Sequence, residues 1–523
     1  MPEPRFNLLE DPIIGMRVGD VERLKGSLPE ALHYLGRGDD VVFLGQPAYH
    51  AATWHMFLVQ LAGLALTGIR QRDTARPVTD WQTALLCLTE GRVEPWCLVV
   101  EDVGQPAFMQ PPVPEGTIAA WRKEIRHPEG LDILIGAKNH DLKQWRMAVP
   151  SVEDWLFALV NLQTSQGFLG AGNYGISRMN GGFASRPLMG VAPSLSTGAR
   201  FVRDVDVILG ARPSLLEAAY GYAADGLALL WLAPWNGDES LPLNRLDPFF
   251  IEICRRVRLV ERQGQLAALA VTTKGPRVFG THVNGNTGDI WTPVRRKDNA
   301  ALTVPGDGFT YKRLQEILFG SDYARPPALE VRREDGPEPF VIAQVLVRGQ
   351  GKTEGWHERR VPVSRKAAVL LRTEEGRNRL GDLARSRVAT TADVAGKVLR
   401  PPILKLLQGA PDKLNMNDHR ATVWLARYDA LVDEVFFDRL WHDIDESAED
   451  RTIDWQRLVL DFAKIVLDEA IETVPMPSVR RYRIVAETER FFTTLRHKHF
   501  PHALRAQAPQ ESQETNHVVV DRQ

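Results

Sequence analysis

The sequence predicts an α+β fold in which a large mixed α/β N-terminal domain precedes a C-terminal four-helix bundle. Up to about residue 355, short strand-like stretches alternate with helical ones. After that point the chain contains long amphipathic segments, as expected for a helical bundle. These segments lie at roughly 365–409, 417–444, 449–474 and 478–500. We therefore place the mixed domain at 1–360 and the bundle at 361–505, and we expect the polar stretch 506–523 to be a disordered tail.

Composition limits the classes of function that the chain can have. The 523 residues are 44% hydrophobic and 25% charged, which is ordinary for globular proteins and leaves enough apolar residues for a sizeable core. The formal net charge of −2 excludes a polycation, so nucleic-acid contacts must come from local basic patches or from partner subunits. No run of about 18 apolar residues occurs, and the N-terminus lacks the pattern of a signal peptide. We expect a cytoplasmic protein without a membrane partner.

The cysteines indicate neither a metal site nor a disulfide framework. The three cysteines, Cys87, Cys97 and Cys254, form no C-x-x-C pair. A zinc ribbon would need such pairs, and reduced cysteines suit a cytoplasmic protein. We therefore expect no metal and no other cofactor.

The first part of the N-terminal domain reads as short strands and turns followed by helices. Ser27 as a cap and Pro29 in the first turn mark the start of one helix. Residues 50–70 predict a strongly apolar helix, and residues 73–93 predict another. The strand-like stretch CLVVED then leads into a proline-rich loop, where regular structure is excluded.

Later elements follow from the same kinds of pattern. Residues 151–168 predict a helix, because a serine cap and acidic first turn precede apolar residues at helical spacing. Strands are expected at 266–273 and 339–349, a helix at 213–232, and a tight Asn-Gly turn at 284–285. In the bundle, Pro401 and Pro402 are expected to break or kink the first helix.

The segment LGAGNYGISRMNGG, residues 169–182, contains a G-x-G-x-x-G spacing at Gly170, Gly172 and Gly175. A dinucleotide fingerprint needs a strand before the glycines and a long helix after them, and a kinase lid needs a valine where Ser177 stands. Neither requirement is met. Two interpretations remain: a loop that needs positive φ angles, or a bare backbone that can approach a sugar-phosphate chain. Donors along this segment suit the second interpretation; they are Asn173, Tyr174, Ser177, Arg178 and Asn180.

Further polar and basic segments are candidates for contact with nucleic acid. LIGAKNHDLKQW places Lys138, Asn139, His140 and Lys143 on an expected loop, and VRGQGKTEGWHERRVPVS at 347–364 predicts a hairpin. The hairpin tip would present Arg348, Gln350 and Lys352. The basic clusters CRRVRLVER at 254–262 and PVRRKDN at 293–299 are expected to be solvated faces. No catalytic Ser-His-Asp or Cys-His arrangement is apparent, so no catalytic residue is assigned.

Several short motifs, taken in their order, resemble the large subunit of the type I-E CRISPR surveillance complex Cascade, the CasA family. They are FNLLEDPII at 6–14, FMQ at 108–110, GFLGAGNYGISRMNGG from 167 and HERRVPV from 357, followed by the helical bundle. The resemblance spans about residues 6–500. Some members of the family carry a lysine where Asn173 aligns, so the motif read by this chain is left open.

The resemblance implies a non-catalytic recognition subunit. The glycine-rich segment would lie along the minor groove of duplex target DNA and read the protospacer-adjacent motif, through Gly170, Gly172, Asn173, Tyr174, Gly175 and Arg178. Gln350, flanked by Arg348 and Lys352, would act as a wedge between base pairs and nucleate the R-loop. Lys138, Asn139, His140 and Lys143 would contact the handle of the guide RNA. The expected partners are the guide RNA, the target DNA, other Cascade subunits and the helicase-nuclease that cuts.

Two other functions remain open from the residues alone. The first is a metal-dependent nuclease, or a nucleotide-dependent enzyme, that uses the KNHD segment or the glycines. The second is a scaffold that only bridges other subunits.

Overall fold

The computed structural model of the chain describes residues 4–20, 23–131, 150–180, 186–349, 352–444 and 448–504. The chain forms two compact units, Met1–Asn378 and Arg379–Gln523. The first unit mixes helices with small sheets, and the described part of the second is helical. The predicted α+β fold class is thereby confirmed. The expected tail, 506–523, lies outside the described residues.

The helices have the following bounds: α1 Leu28–Gly36, α2 Ala51–Gly68, α3 Val78–Cys87, α4 Val152–Ser165, α5 Thr197–Glu217, α6 Tyr311–Phe319, α7 Arg365–Leu371, α8 Glu374–Asp393, α9 Arg400–Leu407, α10 Thr422–His442, α11 Ala448–Thr473 and α12 Ser478–His499. The strands are β1 Arg5–Asn7, β2 Ile14–Val18, β3 Leu24–Gly26, β4 Val41–Phe43, β5 Cys97–Val99, β6 Lys123–Ile125, β7 Leu188–Ala192, β8 Leu227–Leu229, β9 Leu241–Pro242, β10 Leu246–Ile251, β11 Arg256–Arg262, β12 Gln265–Val271, β13 Val278–Phe279, β14 Val294–Arg295, β15 Ala300–Ala301, β16 Tyr323–Ala324, β17 Phe340–Gly349 and β18 Lys352–Pro362.

The core of the first unit is built around α2, which is buried on nearly all sides. A helix that is apolar all round must be surrounded by other elements, and α2 packs against α3, α4, α5 and β10. Within the described residues, no helix is both long and apolar enough to cross a bilayer. The three-stranded sheets have the orders β3-β2-β4, β11-β12-β6, β18-β17-β7 and β15-β14-β16.

The prediction of a helix at 213–232 is wrong. Pro213 instead lies in the last turns of α5, and Leu227–Leu229 forms β8, which pairs with β10. Gly226 explains why the chain can do this. A Cβ there would lie 2.3 Å from the carbonyl carbon of Leu246, so only glycine allows the two backbones to run this close.

The last three predicted bundle segments are present in the second unit as α10, α11 and α12, whereas the first, 365–409, is divided into α7, α8 and α9, and α7 belongs to the first unit. The first segment is interrupted where the prolines predicted a disturbance: a π-helical stretch, Val394–Leu399, joins α8 to α9, and Pro401 and Pro402 lie in the first turn of α9. Prolines are tolerated there because the first turn of a helix leaves its N–H groups unpaired. The chain stays helical from Glu374 to Leu407, so the expected break is not observed, and the disturbance takes the form of the π-helical stretch before the prolines.

Cysteine labelling is a direct check of the first unit's packing. Cys87 is exposed, whereas Cys97 and Cys254 are buried. Burial raises the pKa of Cys97 to about 12 and also raises the pKa of Cys254, so neither forms the reactive thiolate readily. We expect a thiol reagent at neutral pH to label one cysteine quickly in the native chain and all three after unfolding. Rapid native labelling of Cys254 would contradict the described packing.

Candidate nucleic-acid interface

The glycine-rich segment is delivered by α4 as a well-defined loop. Ser151 caps α4 reciprocally with Asp154: the Asp154 amide donates to the serine hydroxyl, and the Ser151 amide donates to the carboxylate over 2.7 Å. The helix ends at Ser165, and Gln166 adopts an extended backbone. The helix predicted before the glycines is thus confirmed. We call residues 166–180 the glycine loop.

Two of the glycines supply backbone angles that other residues rarely adopt. Gly170 has φ +110° and Gly172 has φ +81°. A Cβ on Gly170 would meet no atom of the described residues within 4 Å, so this point of the main chain is open with respect to them. A Cβ on Gly172 would lie 2.7 Å from Cβ of Thr272. The interpretation of the segment as a loop that needs positive φ is therefore confirmed at both positions.

Gly175 is required for a different reason. A Cβ there would lie 2.5 Å from the carbonyl carbon of Gly167, where the two arms of the loop cross closely. The Ile176 amide donates to the Gln166 carbonyl over 2.9 Å and closes the base of the loop. Outside that base, Asn173 and Tyr174 are partly exposed, and the Tyr174 ring lies 6.0 Å from the ring of Phe168.

A buried carboxylate holds the C-terminal arm of the loop. Glu252 accepts the Ser177 amide over 2.6 Å, the Ser177 hydroxyl over 3.1 Å and the Arg178 guanidinium over 3.3 Å. Arg178 also donates to the Phe250 carbonyl and lies 3.9 Å from the centre of the Phe250 ring. Burial raises the pKa of Glu252, and the Arg178 charge and the Ser177 donors oppose that rise.

The assignment of Arg178 as a DNA-contacting residue is corrected by this geometry. Its side chain is only 4% exposed, and its donors already serve Glu252 and Phe250. A guanidinium in this position cannot reach a phosphate without breaking a buried ion pair. Arg178 therefore supports the loop from beneath.

The prediction that the arginines at 254–262 form a solvated face is also wrong for most of them. Arg255, Arg256 and Arg258 are buried, while the Arg262 side chain is 56% exposed. The buried guanidinium groups donate mainly to main-chain carbonyls. Arg255 donates to the carbonyls of Tyr174 and Gly167, so it holds the other arm of the glycine loop.

Buried glutamines join the loop to the rest of the unit. Gln110, the last residue of the FMQ motif, is fully buried; its amide nitrogen donates to the Leu98 carbonyl, and its oxygen accepts the Leu259 amide. Gln163 on α4 bridges the Met109 and Arg255 carbonyls. The FMQ motif, which contributes to the family resemblance, thus contains residues that hold β11 in place beneath the loop.

A cavity of about 370 Å³ lies beside the glycine loop. It is lined by Phe168, Tyr174, Ser177, Asn180, Val278 and Asn284, among others. Asn284 and Gly285 have φ +50° and +79°, which confirms the predicted tight turn. The turn packs against the loop, since a Cβ on Gly285 would lie 2.6 Å from the Met179 carbonyl carbon.

Exposed cations stand next to this turn and loop. The Asn284 side chain donates to the Asp298 carbonyl in the β14–β15 hairpin, whose tip carries exposed Arg296 and Lys297. On the other side, the Thr273 amide donates to the Gly172 carbonyl over 3.0 Å, and Lys274 follows it in the chain. The Lys274 side chain is 79% exposed and pairs with Asp238. Sequence reasoning did not connect these cations with the glycines, because the connection runs through the Asn-Gly turn and β12.

The predicted hairpin at 347–364 is present as β17 and β18. The pair has a register shift between Val347 and Arg348, and Gly349 is opposite Lys352. Arg348 and Lys352 therefore lie at the end of the hairpin, in the backbone positions expected for a tip. Gln350 lies outside the described residues. The expected guide-contacting residues, Lys138, Asn139, His140 and Lys143, also lie outside them.

The described part of the chain contains no cluster of three or more His, Cys, Asp or Glu side chains arranged to hold a metal ion. The candidate interface therefore consists of the glycine loop, which buried groups hold in place and which has open main chain, together with the adjoining cavity and the exposed cations.

Comparison with solved structures identifies the fold of this chain. No protein-family model and no curated protein matches the sequence. Among solved structures, CasA (Cse1) of Thermus thermophilus is similar, with TM-score 0.62 and 14% identity over 95% of this chain and 100% of that one. Cse1 of Thermobifida fusca aligns with TM-score 0.64 and 13% identity over 95% and 98%. The CRISPR-associated protein Cse1 of Acidimicrobium ferrooxidans aligns with TM-score 0.61 and 14% identity over 95% and 99%. This chain therefore has the fold of the CasA (Cse1) proteins along nearly its whole length.

Proposed function

We propose that this chain is a CasA-family protein, the non-catalytic large subunit of a type I-E CRISPR Cascade complex. In this role it reads the protospacer-adjacent motif in duplex target DNA, nucleates the R-loop and recruits the helicase-nuclease. Its partners are the guide RNA, the target DNA and the other Cascade subunits. The observation that carries the proposal is the open main chain at Gly170, on a loop that buried charges hold in place at both arms.

The form of the loop suits the minor groove. That groove is narrow and offers mostly acceptor atoms, so a reader needs little side-chain bulk and a few donors. Gly170 and Gly172 remove the bulk, and Asn173 and Tyr174 carry donors and are partly exposed. The cations at Lys274, Arg296 and Lys297 would contact phosphates, which positions a protein on the duplex without reading sequence.

The hairpin supplies the second half of the proposed role. Gln350 would enter a base step beside the motif, with Arg348 and Lys352 near the flanking phosphates. Unstacking a step costs a few kcal/mol, and pairing of the guide with the target strand offsets that cost. Lys138, Asn139, His140 and Lys143 would contact the guide handle.

The test uses the assembled complex with its guide RNA. Duplexes that differ only beside the target are titrated at several salt concentrations, because affinity without a stated salt concentration cannot be interpreted. We expect wild type to prefer one flanking motif by roughly tenfold or more, within the usual discrimination of about 1–3 kcal/mol for a base pair. Gln350→Ala should slow R-loop formation, and Asn173→Ala should reduce the preference between motifs.

Gln71→Ala provides the matched control, since Gln71 is an exposed glutamine outside the loop and the hairpin. It should leave motif preference and R-loop formation unchanged. If Gln350→Ala and Asn173→Ala both behave like this control, the chain is a scaffold and the groove-reading roles are wrong. If the purified chain cleaves DNA with a metal ion and His140→Ala abolishes the cleavage, the nuclease alternative replaces the proposal.

A further inference from the structure

The cavity beside the glycine loop has the size and the lining of a small-ligand site. Its volume of about 370 Å³ falls within the range of roughly 300–1,000 Å³ that is usual for ligand pockets. Two aromatic residues contribute to its wall, Phe168 and Tyr174, whose ring centres are 6.0 Å apart. The other large apolar lining residues are Ile176, Met179, Pro276 and Val278. We call this space the glycine-loop cavity.

Two asparagine side chains give the cavity hydrogen-bond acceptors. The Asn180 amide nitrogen donates to the Ala301 carbonyl over 3.1 Å, and the Asn284 amide nitrogen donates to the Asp298 carbonyl over 3.4 Å. A carbonyl oxygen can only accept, so these bonds fix which end of each amide is the nitrogen. Neither amide oxygen receives a hydrogen bond from the described residues, and Asn180 and Asn284 are not buried. The two oxygens can therefore accept N–H donors from a ligand.

Positive charge lies beside the cavity and not on its wall. None of the lining residues among those described is charged. Asn284, however, is bonded to the β14–β15 hairpin, whose exposed tip carries Arg296 and Lys297. A ligand that fits both features has a flat, neutral part for the cavity and an anionic part for the hairpin. A nucleotide is built in this way, because a planar base with N–H donors is joined through the sugar to a phosphate.

We propose that the glycine-loop cavity binds one unpaired nucleobase, whose phosphate contacts Arg296 and Lys297. The base stacks on Phe168 or Tyr174, an interaction that every base can make because every base has a flat π-face. Its N–H groups donate to the asparagine oxygens, and its phosphate is attracted to the two exposed cations. The base belongs either to a free nucleotide or to a nucleic-acid strand.

The inference deepens the proposed function and rests on it for the strand that supplies the base. The loop arm that lines the cavity continues along the chain into β7, and β7 pairs with β17 at Leu188 and Gln344. From Gln344, β17 runs to the end of the hairpin at Gly349. The cavity is thus joined to the strand pair that would carry the wedge. A base displaced from the opened step loses its stacking, and the cavity offsets part of that loss.

The first test is binding of adenosine monophosphate by the intact chain, followed by saturation-transfer NMR. We expect saturation to reach the protons of the base in wild type. Ribose 5-phosphate, which has the phosphate without the base, should compete poorly. Tyr174→Ala should weaken the apparent affinity at least about fivefold, because stacking on an aromatic side chain contributes at least this factor for each base. Tyr174→Phe keeps the ring and should bind like wild type.

Further variants keep the first test decisive. Tyr482→Ala is the matched control, since Tyr482 is 87% exposed and lies in the second unit, and it should leave binding unchanged. Val278→Phe narrows the cavity and should also weaken binding; it replaces Tyr174→Ala if that variant fails to fold, as judged by its melting temperature. Absence of saturation transfer to the base protons in wild type would overturn the proposal. Equal nucleotide binding by wild type and the folded cavity variants would overturn it as well.

The second test identifies the source of the base. The assembled complex with its guide RNA binds motif-bearing duplexes in which single nucleotides beside the target, on the strand that does not pair with the guide, lack their base. If this strand supplies the base, one such position weakens binding at least about fivefold in wild type and has no such effect in Tyr174→Ala. If no position does so, the cavity serves a free nucleotide. Loss of motif preference in wild type would overturn the proposed function, whereas the cavity is judged by the first test.

Discussion

Glu252→Ala is expected to lower the free energy of unfolding of the first unit by about 3–5 kcal/mol. The substitution removes the only carboxylate that pairs directly with Arg178 among the described residues, so a buried guanidinium loses its ion-pair partner. It also deprives the Ser177 amide and hydroxyl of their acceptor. The measurement is urea unfolding followed by tryptophan fluorescence, compared with wild type at the same pH.

A second acid and a double variant give the controls. Glu239 is exposed, so Glu239→Ala should change the free energy of unfolding by no more than about 0.5 kcal/mol. The double variant Arg178→Met/Glu252→Leu should cost less than the sum of its single substitutions, since no unpaired charge is left behind. Equal stability of Glu252→Ala and Glu239→Ala would show that Glu252 does not hold the loop.

Gly172→Asp is expected to weaken motif-dependent duplex binding by the assembled complex by at least about tenfold, or about 1.4 kcal/mol. The residue needs φ +81°, and a Cβ would press on Thr272 at 2.7 Å, so the loop must change shape. A new carboxylate would also repel the DNA phosphates at the proposed interface. Binding is measured by titration of motif-bearing duplex at fixed salt.

Two glycine-to-alanine variants separate geometry from charge. Gly172→Ala introduces the Cβ without the carboxylate and should cause the part of the loss that is due to loop shape. Gly210→Ala, within α5, places a methyl group where no atom of the described residues lies within 4 Å, and it should have no effect on binding. Wild-type affinity in the Gly172→Asp complex would remove the glycine loop from the proposed interface.

Local patterns predicted much of the fold correctly. The caps at Ser27 and Ser151 lie where the sequence indicated, with their acidic partners three residues on. The hairpin at 347–364 and the interrupted first bundle segment also agree. The prediction of a helix at 213–232 failed because of tertiary structure. Gly226 allows β8 to run against β10, and no pattern within the segment indicates that β10 is its neighbour.

The burial of candidate functional side chains was harder to predict than the helices and strands. Arg178, Arg255, Arg256 and Arg258 look like surface cations in the sequence, yet each is buried with acceptors supplied from elsewhere in the chain. Arg258, for example, donates to the Val100 carbonyl, 158 positions away. Such acceptors leave no local signal, and a charged residue is most often exposed.

By itself, the sequence determined the helical periods, the capped helix starts and the glycines that require positive φ. These features depend on residues that are only a few positions apart, so they can be recognised in the sequence. Only the tertiary structure decided which arginines support the glycine loop from beneath and which remain exposed. The reason is physical: the burial of a charge, and whether it is paired, depend on groups that folding brings together from distant parts of the chain.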